Sequence, residues 1–246
     1  MEKIIKKNFL VVSDYGWLPD NLEESWVVKY TDNYLIYDRK HRWEESDRIK
    51  HQKNVGQNVY DMFDFIITHY DNLPDVTIFC RACLFFPKDQ IYPKSSGNCS
   101  EEKFIELINN ETFTEIHNYG KETEGGASRI TDDGGYLEIN NSWYFGPLPN
   151  VDGSQYQLER KYFSDYNEFM RDVYVNPIIQ QWIRFSPGCN YIIPKSNILR
   201  YSKNFYDKIR EYLSWAPDMR IAEAHMIERA LYTIFTCDWE VNEKYK

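Results

Sequence analysis

The stretch Asn54–Arg81, NVGQNVYDMFDFIITHYDNLPDVTIFCR, decides the fold. Val55, Val59, Met62, Phe63, Ile66, Ile67 and Tyr70 fall at helical spacing, and Asn72-Leu73-Pro74-Asp75 closes the segment. Val76 to Cys80 then reads as a short buried strand. Upstream, the apolar run Phe9 to Ser13 ends in Asp14-Tyr15-Gly16, and Asn33 to Tyr37 ends in Asp38-Arg39-Lys40. Strand, strand, long helix, strand is the order of a sheet with crossover connections, so the chain is expected to be α/β with a mixed, Rossmann-like sheet flanked by helices.

The rest of the chain fits one domain. No internal repeat or low-complexity linker interrupts the 246 residues, which can bury a sizeable core without staples. Glu101 to Asn109 and Tyr162 to Val173 read as amphipathic helices, Tyr119 to Ser128 as a polar loop, and Ile130 to Phe145 as a hairpin turning at Asp133-Gly134-Gly135. Cys189 to Ile193 reads as a strand. A helix from Ser196, marked by Phe205, Ile209, Tyr212 and Leu213, and another over Ile221 to Phe235 would close the fold.

Composition narrows the function. The chain has 29 Lys and Arg against 38 Asp and Glu, a net charge of −9, so it has no general basic surface for a polyphosphate backbone and no nucleic-acid partner is expected. No stretch approaches the roughly 18 apolar residues of a membrane helix, and the apolar run Phe9 to Val12 is too short for a signal peptide. A cytosolic chain is the expectation, and five scattered cysteines (80, 83, 99, 189 and 237) agree with it. Cys80 and Cys83 form a C-x-x-C without a second pair at ligand spacing, which disfavours a zinc or redox site. Phe 14, Trp 7 and Tyr 20 make up 17% of the chain. Such rings build a core, and any surplus suits flat ligands such as bases and sugars.

In open α/β sheets the ligand lies outside the carboxyl ends of the strands. That rule selects Asp14, Tyr15 and Trp17 after the first strand, Asp38, Arg39 and Lys40 after the second, and Arg81 after the third. Three cations among rings suit an anionic, ring-bearing ligand, and a nucleotide diphosphate joined to a sugar meets both demands. No Walker A loop and no G-x-G-x-x-G follows a strand, which argues against a P-loop kinase or a dinucleotide dehydrogenase. Asn54 stands at the start of the long helix, where unpaired N–H groups face anions.

The run His69-Tyr70-Asp71-Asn72-Leu73-Pro74-Asp75-Val76-Thr77-Ile78-Phe79, preceded by Asn54-x-Gly56 and by Trp17-Leu18 after the first strand, resembles an uncharacterised family of GT-A-like glycosyltransferases. Pro187-Gly188-Cys189-Asn190-Tyr191-Ile192-Ile193-Pro194-Lys195, Ile198, Phe205-Tyr206, Glu228-Arg229 and Ile234-Phe235 are similar to its C-terminal elements. The resemblance spans roughly Phe9 to Trp239. It implies a single GT-A-like domain, with residues 1–120 binding a nucleotide-sugar donor and 121–246 the acceptor, and a role in building a surface glycan. Relatives among large-virus sugar transferases include xylose-transferring enzymes, so a UDP-pentose is a candidate donor. Two departures stand out: the helix-start glutamate of the family is Asn58 here, and its F-L-Q-G is Phe79-Cys80-Arg81-Ala82.

No D-x-D pair follows Val76 to Cys80, so Arg81, with Lys88 nearby, is expected to neutralise the departing diphosphate in place of a metal. No cofactor is expected; a divalent ion such as manganese is the less favoured alternative. Asp132-Asp133, ahead of two glycines, reads more simply as a turn. Inverting transfer needs a general base. Glu223 and Glu228 are the candidates, about 140° apart on a helix; Glu223 with His225 resembles the glutamate just before a histidine that acts as base in other metal-independent GT-A enzymes and is narrowly preferred, whereas Glu228-Arg229 is what matches the family motif, its alternative reading being a structural ion pair. Trp143, Tyr144 and His225 are candidate acceptor contacts, Phe145 and Trp182 fit core packing better, and His41, His51, His69 and His117 show no ligand spacing. The alternatives are a glycan-binding or inactive transferase-like protein and, ranked last, another nucleotide-sugar-handling enzyme.

Overall fold

Side chains alternate along the first strand, with Leu10 and Val12 entering one apolar layer and Val11 the other. That is the pleat of a strand buried on both faces. The computed structural model describes residues 3–85, 99–117, 126–142, 148–149 and 155–246. In chain order the strand, β1 (Phe9–Asp14), is followed by α1 (Trp26–Tyr30), β2 (Tyr34–Asp38), β3 (Ile49–His51), α2 (Gln57–His69), β4 (Val76–Arg81), α3 (Glu101–Leu107) and β5 (Thr114–Glu115). Next come β6 (Ser128–Ile130), β7 (Tyr136–Ile139), β8 (Leu148–Pro149), β9 (Gln155–Tyr156), α4 (Tyr166–Val173) and β10 (Trp182–Arg184). The chain ends with β11 (Tyr191–Pro194), α5 (Lys195–Ile198), α6 (Lys203–Glu211) and α7 (Ala222–Thr236).

The principal sheet has the order β3-β2-β1-β4-β11-β5. β3, β2, β1 and β4 run parallel, whereas β11 is antiparallel to both β4 and β5. The protein is therefore mixed α/β, with a sheet compatible with a Rossmann-like arrangement. Val11, Leu35, Phe79, Tyr191 and Ile193 face a layer built from α2, α4, α6 and α7. Leu10, Ile36, Ile78 and Ile192 face a thinner layer that includes Val27 of α1 and Phe104 of α3. A second sheet, β10-β7-β6, stands against α7.

Several elements differ from the sequence expectation for identifiable reasons. The helix expected from Ser196 is two helices, α5 and α6, because buried Tyr201 turns into the core and Ser202 caps a new start by accepting from the Phe205 N–H at 3.2 Å. The helix expected from Tyr162 begins at Tyr166, where Asp165 caps it through the Glu168 N–H at 2.7 Å. The hairpin turn at Asp133–Gly135 is present, and its second strand β7 also pairs with β10, a strand that sequence periodicity does not reveal. Gly56 starts α2 in a left-handed conformation (φ 58°), and a Cβ there would lie 2.6 Å from Leu213 Cβ, so glycine lets α2 meet the end of α6. No helix among the described residues is long and apolar enough to cross a membrane.

Candidate functional site

Strand order reverses between β1 and β4, and the crossovers on either side run over opposite faces. In open α/β sheets the crevice expected to take a ligand lies outside the carboxyl ends of the two strands at such a reversal. Asp14 ends β1 and Asp38 ends β2, both fully buried. Oδ1 of Asp14 accepts from the N–H groups of Trp17 (2.8 Å) and Leu18 (3.2 Å), and its Oδ2 pairs with Arg42. Asp38 accepts from the N–H groups of Lys40 (3.0 Å), Arg42 (2.5 Å) and Trp43 (3.1 Å). A buried carboxylate requires donors, and the nearest ones are the amides of its own loop. These two aspartates organise the crevice wall, and the expected direct donor contacts at Asp14 and Asp38 are corrected accordingly.

Arg39 is corrected in the same way. Its guanidinium is wholly buried: Nε and Nη2 hold Asp61 at 3.1 and 2.6 Å. Nη1 reaches the carbonyls of Lys53 and Val55 at 3.0 Å, and Nη2 that of Gln57 at 2.6 Å. All five N–H donors are thereby engaged, clamping the start of α2 onto the end of β2. No donor remains for a diphosphate. Tyr15 stacks on this clamp, its ring 4.7 Å from the guanidinium carbon, and its buried hydroxyl has no hydrogen-bond partner among the described residues. Burial pushes that phenol well above its ordinary range.

The remaining donor-site candidates follow the same strand ends or the start of α2. Lys40 is exposed with its stem beside Gly16, and Asn54 is exposed while its carbonyl accepts from the Asp218 N–H at 2.6 Å. Trp17 is half-buried against the thinner layer. Arg81, at the end of β4, is anchored through its backbone N–H to Asn190 Oδ1 at 3.1 Å. Its side chain runs against Gly188.

Around Arg81 the structure assembles a group that the sequence reading recognised only in part. Gly188 and Cys189 both have positive φ (86° and 59°), which turns the chain sharply into β11, and Asn190 Nδ2 braces the turn by donating to the Pro187 carbonyl at 3.0 Å. Asn58 Nδ2 on α2 donates to the Gly188 carbonyl at 3.1 Å, which ties the turn to α2. On α7, Oε1 of Glu228 accepts from the Gly188 N–H at 2.6 Å, while Oε2 faces Arg229 Nη1 at 3.5 Å and His225 Nδ1 at 4.0 Å. Burial raises the proton affinity of Glu228 above the usual carboxylate range, opposed by Arg229 and, more weakly, Arg81. Gln57 Nε2 lies 3.5 Å from His225 Nε2, on the side of the ring away from Glu228.

Glu223 is absent from this group. It is fully buried, and its Oε1 accepts from the N–H groups of Lys161 (2.6 Å) and Tyr162 (2.8 Å). Five residues along a helix rotate it about 140° from Glu228, so it secures the loop before α4 while His225 and Glu228 share the crevice face. The preference for Glu223 as base is therefore reversed. Arg220 was not anticipated, although its charge acts on both Tyr15 and His225. A cation directly before a helix N-terminus opposes the helix dipole, and that was the signal available in the sequence.

Asp133 serves the turn, accepting from the Gly135 N–H at 3.3 Å and pairing with Arg184 at 2.8 Å. Cys80 and Cys83 are free thiols whose proton affinities burial raises. Among the described residues, no group of three or more His, Cys, Asp and Glu side chains is placed to hold a metal ion. Lys88, Trp143, Tyr144 and Phe145 lie outside the described residues.

Burial holds His225 neutral, lowering its pKa from 6.5 to about 3 with the help of Arg229 and Arg220, and His117 is lowered similarly to about 4. The unfolded chain takes up these protons near pH 6.5, before the native protein accepts them. The contribution of each histidine is thus complete above pH 6.5 and is lost as pH falls towards its native value. Urea unfolding between pH 7 and 4 should show this loss, and His225→Gln should remove up to about 3 kcal/mol of it. An unchanged pH slope in the variant would contradict a buried neutral His225.

No protein-family model, curated protein or solved structure matches the chain.

Proposed function

We propose that the protein is a glycosyltransferase of GT-A-like architecture, moving a sugar from a nucleotide-sugar donor to a glycan acceptor with inversion. One observation carries the reading: a carboxylate of raised proton affinity, Glu228, is fixed beside neutral His225 and cationic Arg81 at the reversal point of the sheet. Perturbed groups converging at such a crevice are the expected signature of acid–base chemistry. The family resemblance along Asn54–Phe79 and Pro187–Phe235 supports the same reading.

In this scheme the acceptor oxygen forms its bond to the anomeric carbon as the bond to the leaving phosphate oxygen breaks. The acceptor proton passes to Oε2 of Glu228, and the electron pair of the broken bond stays on the diphosphate. Arg81, Arg220 and Lys40 offset that charge, the electrostatic work a divalent ion performs in other transferases. In this scheme Tyr15, whose buried hydroxyl has no partner among the described residues, is the ring assigned to the donor. A UDP-linked sugar, with a pentose as candidate, and a cytosolic site of action complete the proposal.

The test is a thermal-shift panel of UDP-sugars with and without manganese, followed by donor hydrolysis. A raised melting temperature without manganese and slow hydrolysis are expected. If no nucleotide sugar shifts the melting temperature, the donor site is wrong; if binding requires manganese, the role given to Arg81 fails. Binding without hydrolysis or transfer would favour a glycan-binding or inactive transferase-like protein, the reading to which the internally engaged Asp14, Asp38 and Arg39 point.

A further inference from the structure

Arg229 is buried, yet it belongs to the C-terminal helix and reaches the second sheet. Its Nε and Nη2 both donate to Oε1 of Glu138 on β7, at 2.9 and 2.8 Å, and its guanidinium lies 4.7 Å over the Phe185 ring. The remaining nitrogen, Nη1, donates to the His225 carbonyl at 3.1 Å and approaches Oε2 of Glu228 at 3.5 Å. Glu138 is itself buried, and the Tyr136 hydroxyl meets its other oxygen at 3.5 Å. A single cation is thus shared between two buried carboxylates, one in the crevice and one on β7.

We propose that Arg229 is a positioning residue that sets the orientation and proton affinity of Glu228, and that Glu138 sets how much of its charge Glu228 receives. The geometry makes the pairing unequal: two short bonds go to Glu138 and one long contact to Glu228. A guanidinium fully given to Glu228 would hold that carboxylate ionised and weak as a base. Withdrawn by Glu138, it leaves Glu228 with a raised proton affinity while Nη1 still fixes Oε2 against rotation. The other groups facing Glu228 are His225 on α7, Arg81 on β4 and, on the turn before β11, the Gly188 N–H and the Cys189 thiol. The β10-β7-β6 sheet thereby acquires a function, because its middle strand carries the group that tunes the crevice. The catalytic meaning of this tuning rests on the proposed function, but the tuning itself does not.

The test titrates Glu228 directly. In protein labelled with carbon-13 at the glutamate carboxyl carbon, Glu228→Gln identifies the resonance, whose midpoint is then followed in wild type, Glu138→Gln, Arg229→Lys and Arg229→Met. Removing the Glu138 charge frees Arg229 for Glu228, so Glu138→Gln should lower the midpoint by about one pH unit, a tenfold change in proton affinity. Arg229→Met should raise it by at least as much, with Arg229→Lys in between. A merely structural pair would not move the midpoint in opposite directions. Midpoints that shift the same way, or not at all, in Glu138→Gln and Arg229→Lys overturn the proposal, and these two variants keep the decision available if Arg229→Met does not fold. Where donor hydrolysis is found, the acid limb of kcat/KM should follow the same order. If hydrolysis is absent but the titrations separate, the glycosyltransferase reading falls and the tuning of Glu228 stands.

Discussion

For the proposed transferase, Glu228→Gln is expected to lower nucleotide-sugar turnover by about 10²–10⁴-fold while the donor still raises the melting temperature, because the amide keeps the contact to the Gly188 N–H but cannot take a proton. Glu223→Gln behaves differently. Its carboxylate holds two backbone amides in a fully buried position, and weakening those bonds costs about 1–3 kcal/mol of stability without altering turnover per folded molecule. The pair of variants therefore separates a base from an anchor on one helix. Urea denaturation and donor-hydrolysis kinetics on both proteins are the measurements. Near-wild-type turnover in Glu228→Gln would remove the base from the scheme, and a collapse of turnover confined to Glu223→Gln would restore the earlier preference.

The largest stability effect is expected at Arg39. Arg39→Met deletes a buried guanidinium that satisfies three carbonyls and the buried carboxylate of Asp61. Breaking such a pair from one side costs about 3–5 kcal/mol. Asp61 cannot remain charged without its partner. Burial pushes its carboxyl up to about 6 even beside the guanidinium, so the variant recovers part of the loss by protonating Asp61. Two consequences are measurable in urea. Arg39→Met should be more stable at pH 5 than at pH 7.5 relative to wild type, and adding Asp61→Leu should restore a substantial part of the loss at pH 7.5. A cost below about 1 kcal/mol would show that the clamp is not what holds the start of α2. Donor affinity should fall no further than the unfolded fraction explains, since no Arg39 donor faces the crevice.

The contrast between Arg39 and Arg81 shows where local reading stops. Both follow a strand, and both are cations at the edge where a ligand is expected. Nothing within several residues of either distinguishes them. Asp61, which captures Arg39, lies 22 positions away on the polar side of a helical pattern that looked merely amphipathic, whereas Arg81 runs against the turn at Gly188, with the charge of Glu228 acting on it from α7. The two glutamates of α7 pose the same problem. Helical spacing alone placed them on different faces, but which face looks into the crevice depends on the turn at Gly188 and on the loop at Lys161, both distant in sequence.

Strand and helix periods, turn residues and the order of elements were legible in the chain itself, because hydrophobic alternation and Gly, Pro and Asx punctuation act over a few residues. Hence β1, β2, α2, β4, β11 and α7 were placed within a few residues of their observed bounds. The short strands β3, β5 and β10 were not, since two or three residues carry no period. The roles of individual charges were settled by folding alone. A buried ionised group must find its donors or counter-charge wherever packing brings them, and at Arg39, Glu223 and Arg229 those partners come from elements 22 to 91 positions away along the chain.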